Sequence, residues 1–345
     1  MSVTLKEIAK ISGVCRATVD KVIHNRPGVK EKTRRHVLQV LSDLDYKPNI
    51  AGKALKMQNS RLTITAVLYK TDAYAQISAG ITEQAAQYAD FGFFVDIKSV
   101  DYPDIEAQAG ILEACMPEKT AGVIVTPFNS KRIIDAVRTL TQKGIPVITV
   151  NNDLPGDERI CFIGQNLRQA GRAAARLMAA FIGGRGTVAV ITGSQNFLSD
   201  INRFAGFSEL LRAEYPDIAI VKTIQNFEDP IITYRETVKL LQEHPGLNGI
   251  YITTGRVREV GRAVKTLGFA EKIKIVCFDL YEDIQELVHQ RIITCTIGQD
   301  LYRQGAYPVQ LFFQHFYHNE PLPKGEIFTA IDIRIPENIR YPQSC

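Results

Sequence analysis

The sequence predicts a small all-helical head joined to an α/β body built of two parallel-sheet lobes. Three observations carry that prediction. Residues 1–60 hold twelve Lys or Arg against five Asp or Glu, a net of +7, whereas residues 61–345 carry a net of −3. Within the basic segment, apolar residues recur at three- and four-residue spacing, the period of amphipathic helices. Beyond residue 61, short continuous apolar runs alternate with helical stretches, the pattern of parallel strands covered on both faces. The chain has 345 residues, 45% of them hydrophobic, enough for packed cores in two or three domains.

The head reads as three short helices. Thr4 caps the first, and Glu7 stands in capping-box position; Leu5, Ile8 and Ala9 then share a face. Ser12-Gly13 stops this helix, because glycine readily takes the backbone angles of a tight turn. The second helix, Arg16–Ile23, turns Val19, Val22 and Ile23 inward and leaves Arg16, Ala17, Asp20 and Lys21 on its other side. Two short helices joined by a glycine-containing turn form a helix-turn-helix, whose second helix enters the DNA major groove. The third covers roughly Glu31 to Leu44, with Val37, Val40, Leu41 and Leu44 on one face and Lys32, Arg34 and Arg35 on the wet one. Pro48 ends this unit, so a helix-turn-helix DNA-binding domain is expected over residues 1–48. Residues 49–60 follow as a hinge helix and linker, with Asn49 as cap and Ala51, Ala54 and Leu55 on one side. So short a helix is marginal alone in water.

In the body, strands are expected at Ile64–Leu68, Phe93–Ile97, Gly122–Thr126 and Pro146–Val150. Helices lie between them near Ile77–Ala89, Ile105–Cys115 and Lys131–Gln142. The pattern recurs with strands at Thr187–Ile191, Ala219–Thr223, Gly249–Ile252 and Ile273–Phe278, and helices at Ile201–Ala213, Thr233–Glu243 and Val257–Leu267. An interruption near 160–166 and strand-like runs at 293–297 and 325–333 point to two lobes joined by several crossings. Lobe one is expected at approximately 61–163 plus 296–324, and lobe two at approximately 166–293 plus 325–345.

Concentrated positive charge attracts a polyanion, and nucleic acid is the first candidate. No run approaches the ~20 apolar residues of a membrane span, and Met1–Lys10 is polar rather than a signal peptide, so a cytoplasmic protein is expected. The six cysteines (15, 115, 161, 277, 295 and 345) are scattered, without a CxxC pair. They read as reduced thiols, mostly in the core. Gly183-Gly184-Arg185-Gly186 is no P-loop, no GxGxxG follows the first strand, and Ser194 is not in a GxSxG elbow. No enzyme activity, cofactor or metal is expected.

The run "VTLKEIAKISGVCRATVDKVIHNRPGVKEKTRRHVLQVLSDLDYKPNIAGKAL", about residues 3–57, resembles the N-terminal domain of the lac-repressor (LacI/GalR) family of bacterial transcription regulators. The body is similar to the family's effector domain and to the type 1 periplasmic sugar-binding fold. By that resemblance, Arg16 and Ala17 take the two positions that most often read base edges, and Lys21 the third, where Arg is usual. Arg16 suits bidentate contact with guanine, and Ala17 offers a methyl to thymine. Thr18 can hold a phosphate, and Lys6 is a further backbone contact. Leu55 matches the leucine wedged between base pairs in the minor groove, beside the Asn49 cap. The sequence departs from the family at Cys15 and Asp20, where Ser is usual, and at Lys30, where Ser often caps the third helix.

In open parallel sheets, ligands bind beyond the carboxyl ends of the strands, and two such ends facing each other make a cleft. Asn151, after the strand ending at Val150, matches the family's ligand-facing amide or acid; it equally suits an Asx turn before Pro155. Arg203 in "NRFAGF" offers a planar fork for two oxygens. Asp279 resembles an acceptor for adjacent sugar hydroxyls, and Gln299 a further hydrogen-bonding position. Tyr74 and Phe227 fall where the resemblance places ring-stacking residues. Thr254 departs from the usual Asn, and Arg256 close by introduces positive charge. A sugar, polyol, acidic sugar and phosphorylated sugar therefore all stay open as effectors.

The resemblance implies a homodimer on pseudo-palindromic operator DNA, acting most often as a repressor, with effector binding shifting the fit of the paired heads. The alternative is a solute-binding protein delivering a sugar to a transporter.

Overall fold

The computed structural model describes residues 4–23, 27–44, 61–193 and 197–339. Its head contains α1 (Leu5–Ile11), α2 (Arg16–Ile23) and α3 (Glu31–Asp43). The expected capping box is present at the start of α1: Thr4 Oγ1 accepts from the Glu7 amide, and Glu7 accepts from the Thr4 amide. The helix ends at Ser12, and Gly13 takes a φ of 66°, a left-handed turn that suits glycine. Lys30 precedes α3 without a side-chain cap bond, as expected from the loss of a hydroxyl there. Ile8, Val19 and Val37 are fully buried and form the head core with Ala9, Val22 and Val40. The expected hinge, with Asn49 and Leu55, lies outside the described residues.

The body begins with β1 (Leu62–Tyr69), α4 (Asp72–Ala86), β2 (Phe93–Val100), α5 (Ile105–Glu113), β3 (Gly122–Val125), α6 (Lys131–Gln142), β4 (Val147–Val150) and β5 (Cys161–Gln165). It continues with α7 (Leu167–Ile182), β6 (Gly186–Thr192), α8 (Leu198–Glu214), β7 (Ile218–Gln225), α9 (Pro230–Glu243), β8 (Gly249–Ile252), α10 (Val257–Thr266), β9 (Lys274–Phe278) and α11 (Glu282–His289). The last elements are β10 (Cys295–Gly298), α12 (Leu301–Phe313), β11 (Gly325–Thr329) and β12 (Asp332–Arg334).

The strands form two six-stranded sheets, in the orders β11-β5-β4-β3-β1-β2 and β12-β10-β9-β8-β6-β7. All pairings are parallel except that of β12 with β10. Fully buried apolar runs such as Val123-Ile124-Val125 in β3 and Ile250-Tyr251-Ile252 in β8 explain why these strands are legible as unbroken apolar stretches. Helices cover both faces of each sheet, giving two cores per lobe.

Sheet membership moves the expected lobe limits. Residues 295–298 pair with β9 and belong to the second sheet, although 296–324 was assigned to lobe one. Residues 325–329 pair with β5 and belong to the first sheet, although 325–345 was assigned to lobe two. The interruption expected near 160–166 is itself a buried strand, β5, whose polar Gln165 hides its strand character. The chain thus passes between the lobes after β5, after β10 and between β11 and β12. Gln165 ties these passages together, its Nε2 donating to the carbonyls of Gly298 at 3.1 Å and Ala330 at 3.4 Å.

Each lobe contains a helix pair in close backbone approach. A Cβ added at Gly206 of α8 would lie 2.1 Å from the Arg168 carbonyl oxygen, and one at Gly171 of α7 would lie 2.0 Å from that of Arg203. Only glycines allow this crossing, and it fixes the turn of α8 that carries Arg203.

Candidate functional site

The carboxyl ends of both sheets converge on one cleft. From lobe one come Tyr69 at the end of β1, Thr126 and Phe128 after β3, and Asn151 and Asn152 after β4. From lobe two come Asn226 to Glu228 after β7, Thr253 to Arg256 after β8, and Asp279 after β9, with Gln299 following β10. Six non-glycine residues at these strand ends or helix starts adopt positive φ: Asn151, Phe227, Glu228, Arg256, Asp279 and Asp300. Such backbone costs of order 1–3 kcal/mol per residue and clusters at functional sites.

Gln299 is the centre of the polar network. Its Oε1 accepts from Asn151 Nδ2 at 3.3 Å and from Arg203 at 3.0 Å, and its Nε2 donates to Asp279 Oδ1 at 2.5 Å. Arg203 is 5% exposed; it also donates to the Thr253 carbonyl at 2.9 Å and lies 3.7 Å over the Phe278 ring. The second Asp279 oxygen accepts from the Tyr281 hydroxyl at 2.7 Å. Asn151 Nδ2 also reaches Gln304 at 3.3 Å, so its side chain joins this network. Four candidate residues, Asn151, Arg203, Asp279 and Gln299, are therefore brought together by direct hydrogen bonds.

Aromatic rings close the other side. Phe197 of lobe two lies 5.4 Å from Phe128, 5.5 Å from Tyr102 and 6.4 Å from Tyr69 of lobe one. Tyr74 is half-buried, 5.8 Å from Tyr69. Burial pushes the Tyr74 phenol well above its usual range, with the Tyr69 and Glu228 charges adding to the effect. Burial does the same to Tyr281, reinforced by Asp279. Phe227, in contrast, is 57% exposed, so its ring is available rather than packed.

Thr254 does not stand open. Its hydroxyl donates to Glu228 Oε1, which also accepts from the Gly255 amide at 3.0 Å. Arg256 Nε donates to the Glu228 carbonyl at 2.7 Å and sits 3.9 Å from its carboxylate. The positive charge expected from Arg256 is therefore met locally by Glu228. Three buried polar atoms around the cleft lack a hydrogen-bond partner: Thr126 Oγ1, Arg203 Nε and Asn226 Nδ2. Such atoms call for a ligand or a water.

Glu228, Phe197, Tyr69, Tyr102, Phe128 and Tyr281 were not singled out from sequence. Tyr69, Phe128, Glu228 and Tyr281 sit at or within three residues of strand ends, and that signal alone would have found them. Tyr102 likewise follows the end of β2 by two residues, whereas Phe197 carries no such mark, because only the fold brings its loop to the cleft.

On the head, Lys6, Arg16, Ala17 and Lys21 are exposed, while Val19 and Val22 on the opposite face of α2 are buried. Thr18 is half-buried, its Oγ1 3.2 Å from Cys15 Sγ, and this contact holds the Cys15 thiol below its usual range. Cys15 is exposed, while Cys115, Cys161, Cys277 and Cys295 are buried, all as free thiols. Burial raises Cys161 to about 11. Among the described residues, no cluster of three or more His, Cys, Asp or Glu could hold a metal, and no helix is long and apolar enough to cross a membrane.

Residues 65–320 match the family described as periplasmic binding protein domain, and residues 4–49 match bacterial regulatory proteins, lacI family. Among curated proteins, the chain is similar to the HTH-type transcriptional regulator DegA of Bacillus subtilis, 26% identical over 61% of each chain. It is also similar to the probable HTH-type transcriptional repressor ExuR of the same organism, 27% identical over 62% of each. The match spans about three fifths of the length of these relatives. Among solved structures, a solute-binding protein of Burkholderia graminis in complex with D-arabinose superposes with a TM-score of 0.75 at 22% identity, covering 80% of this chain and 96% of the other. A sugar-binding protein of a Bacillus halodurans sugar transporter gives 0.73 at 26% identity, covering 80% and 98%.

Proposed function

We propose, from the premise that the chain belongs to the lacI family of bacterial regulatory proteins and carries a periplasmic binding protein domain as its body, that it is a sequence-specific DNA-binding transcriptional regulator governed by a sugar-like molecule held between its lobes. The observation that carries the reading is the Gln299 network, which gathers side chains from both lobes around one set of strand ends. Amide, carboxylate and guanidinium groups at such spacing suit vicinal hydroxyls, and the aromatic rings suit the apolar faces of a sugar. The names of the regulators and of the sugar-binding neighbours support the same assignment.

On the head, the exposed start of α2 supports groove reading: Arg16 for guanine, Ala17 for a thymine methyl and Lys21 as a third contact. Lys6 and Thr18 serve the phosphate backbone. A homodimer in the cytoplasm, acting as a repressor, completes the proposal; two heads then match a pseudo-palindrome. The body supplies binding rather than chemistry, and no enzymatic role is proposed.

A second reading, delivery of a sugar to a transporter, is favoured by the body's likeness to solute-binding proteins but leaves the basic helix-turn-helix without a task. A mobility-shift selection on a pool of palindromic duplexes separates the two. Enrichment of a specific site by the wild-type chain, lost on Arg16→Ala, supports regulation. Absence of any DNA binding in the wild-type chain removes it.

A further inference from the structure

The sequence leaves acidic and phosphorylated sugars open as effectors because Thr254 departs from the usual Asn and Arg256 lies close by; Arg203 is the other arginine in a cleft segment. The geometry assigns both elsewhere. The terminal nitrogens of Arg203 are taken by the Thr253 carbonyl and Gln299, and its face by Phe278. Arg256 turns to the carbonyl and carboxylate of Glu228. Lys70, following β1, is paired with Asp101 at 3.2 Å.

The wall of lobe two instead presents carboxylates. Asp279 accepts one bond on each oxygen, from Gln299 and Tyr281. Asp200, 5% exposed, accepts from the Thr253 hydroxyl at 2.9 Å. Glu228 is held by Thr254 and the Gly255 amide through Oε1, whereas Oε2 accepts no hydrogen bond among the described residues. Glu228 follows β7 at its carboxyl end and bonds the loop that follows β8, so it lies on the cleft wall of lobe two.

We propose that Glu228 is a specificity-determining residue that reserves the cleft for uncharged polyhydroxylated ligands and excludes sugar acids and sugar phosphates. Its Oε2, 3.9 Å from Arg256 Nε but without a hydrogen bond among the described residues, accepts a ligand hydroxyl, a bond that a carboxylate or phosphate on the ligand cannot supply. An anion placed there meets the Glu228 carboxylate at short range, while the nearby arginines among the described residues are already engaged, Arg203 by Thr253 and Gln299 and Arg256 by Glu228 itself, which supplies the repulsive element that specificity requires. The inference rests on the cleft being the effector site.

The test is thermal shift followed by calorimetry on the full chain with three matched arms: neutral pentoses, hexoses and inositols; the uronates; and the sugar phosphates. Wild type is expected to respond only in the neutral arm. Glu228→Gln, similar in shape and uncharged, is expected to admit the uronate matching the neutral hit, with a gain of roughly tenfold or more in its affinity. Glu228→Asp keeps the charge and is expected to keep the exclusion. Far-UV circular dichroism establishes folding of both variants. A wild-type response to a uronate or phosphate overturns the proposal, as does continued exclusion of acids by a folded Glu228→Gln. No response in any arm removes the reading of the cleft as a sugar site, and this inference with it.

Discussion

Asn151 and Gln299 lie on loops from opposite sheets, and Asn151 Nδ2 donates to Gln299 Oε1 at 3.3 Å. The bond joins the end of β4 to the passage between β10 and α12, one of the crossings between the lobes. A second bond between the lobes, from the Ser199 amide to Asn152 Oδ1 at 3.3 Å, lies on the neighbouring loop. Relative movement of the lobes therefore remakes polar contacts in the same place where a ligand would make its own. A ligand shifts such an equilibrium only by the difference in its affinity for the two states.

Arg203 is the most committed side chain of the network. Arg203→Ala removes its bonds to Thr253 and Gln299 and leaves buried acceptors behind. Hydrogen bonds to charged groups contribute about 1.5–3 kcal/mol, so a loss of at least that size is expected in urea unfolding, together with loss of effector response. Arg203→Lys is expected to restore little, because a point charge cannot bridge both acceptors. Wild-type stability in Arg203→Ala would contradict this.

Phe197 is 8% exposed, and its ring packs among Tyr69, Tyr102 and Phe128 across the lobe boundary. Truncating a core Phe to Ala costs ~3–5 kcal/mol. Here the contact belongs to lobe closure, so Phe197→Ala is expected to open the body, read as a larger radius of gyration in solution scattering without ligand. Unchanged scattering would count against Phe197 as a closure contact.

How far the sequence led differs between elements. Strands such as β3 and β8 were legible because burial on both faces makes them continuously apolar, and the ends of β4, β9 and β10 led to Asn151, Asp279 and Gln299. β5 was missed because Gln165 spends its polarity on the crossings between lobes, a need that appears only once the sheets are assembled. Glu228 escaped notice because a loop carboxylate reads as an exposed surface charge. Its role follows from Thr254, Gly255 and Arg256 converging on it through the strand order of the second sheet.

Tyr74 and Tyr281 supply a pH dependence. Both phenols are raised by burial, so the folded chain holds these protons more tightly than the unfolded chain does. The stability linked to them is complete below about pH 10, the value of an unperturbed Tyr, and is lost as pH rises from there through the folded values. Stepwise titration should show their phenolate absorbance developing only with loss of the folded cleft. Phenolates at both positions near pH 10 in an intact fold would contradict the burial argument.

On the head, Arg16→Ala is expected to cost ~1–3 kcal/mol of operator affinity and relax sequence preference at one base pair. Lys21→Ala is expected to weaken binding as well, and neither should alter the melting of the body. Fluorescence anisotropy against the selected site and its point variants checks this; equal affinity of Arg16→Ala for every variant and for the parent site would instead place Arg16 away from the bases.

The coupling of cleft to head is tested most directly by the affinity of the full-length chain for its selected operator, measured without ligand and with a saturating neutral polyol or sugar found by thermal shift. A change of at least about fivefold is expected, in either direction, with a reciprocal change in ligand affinity on saturating DNA. Identical operator affinity in both states, with ligand shown to be bound, would contradict control of the head by the cleft.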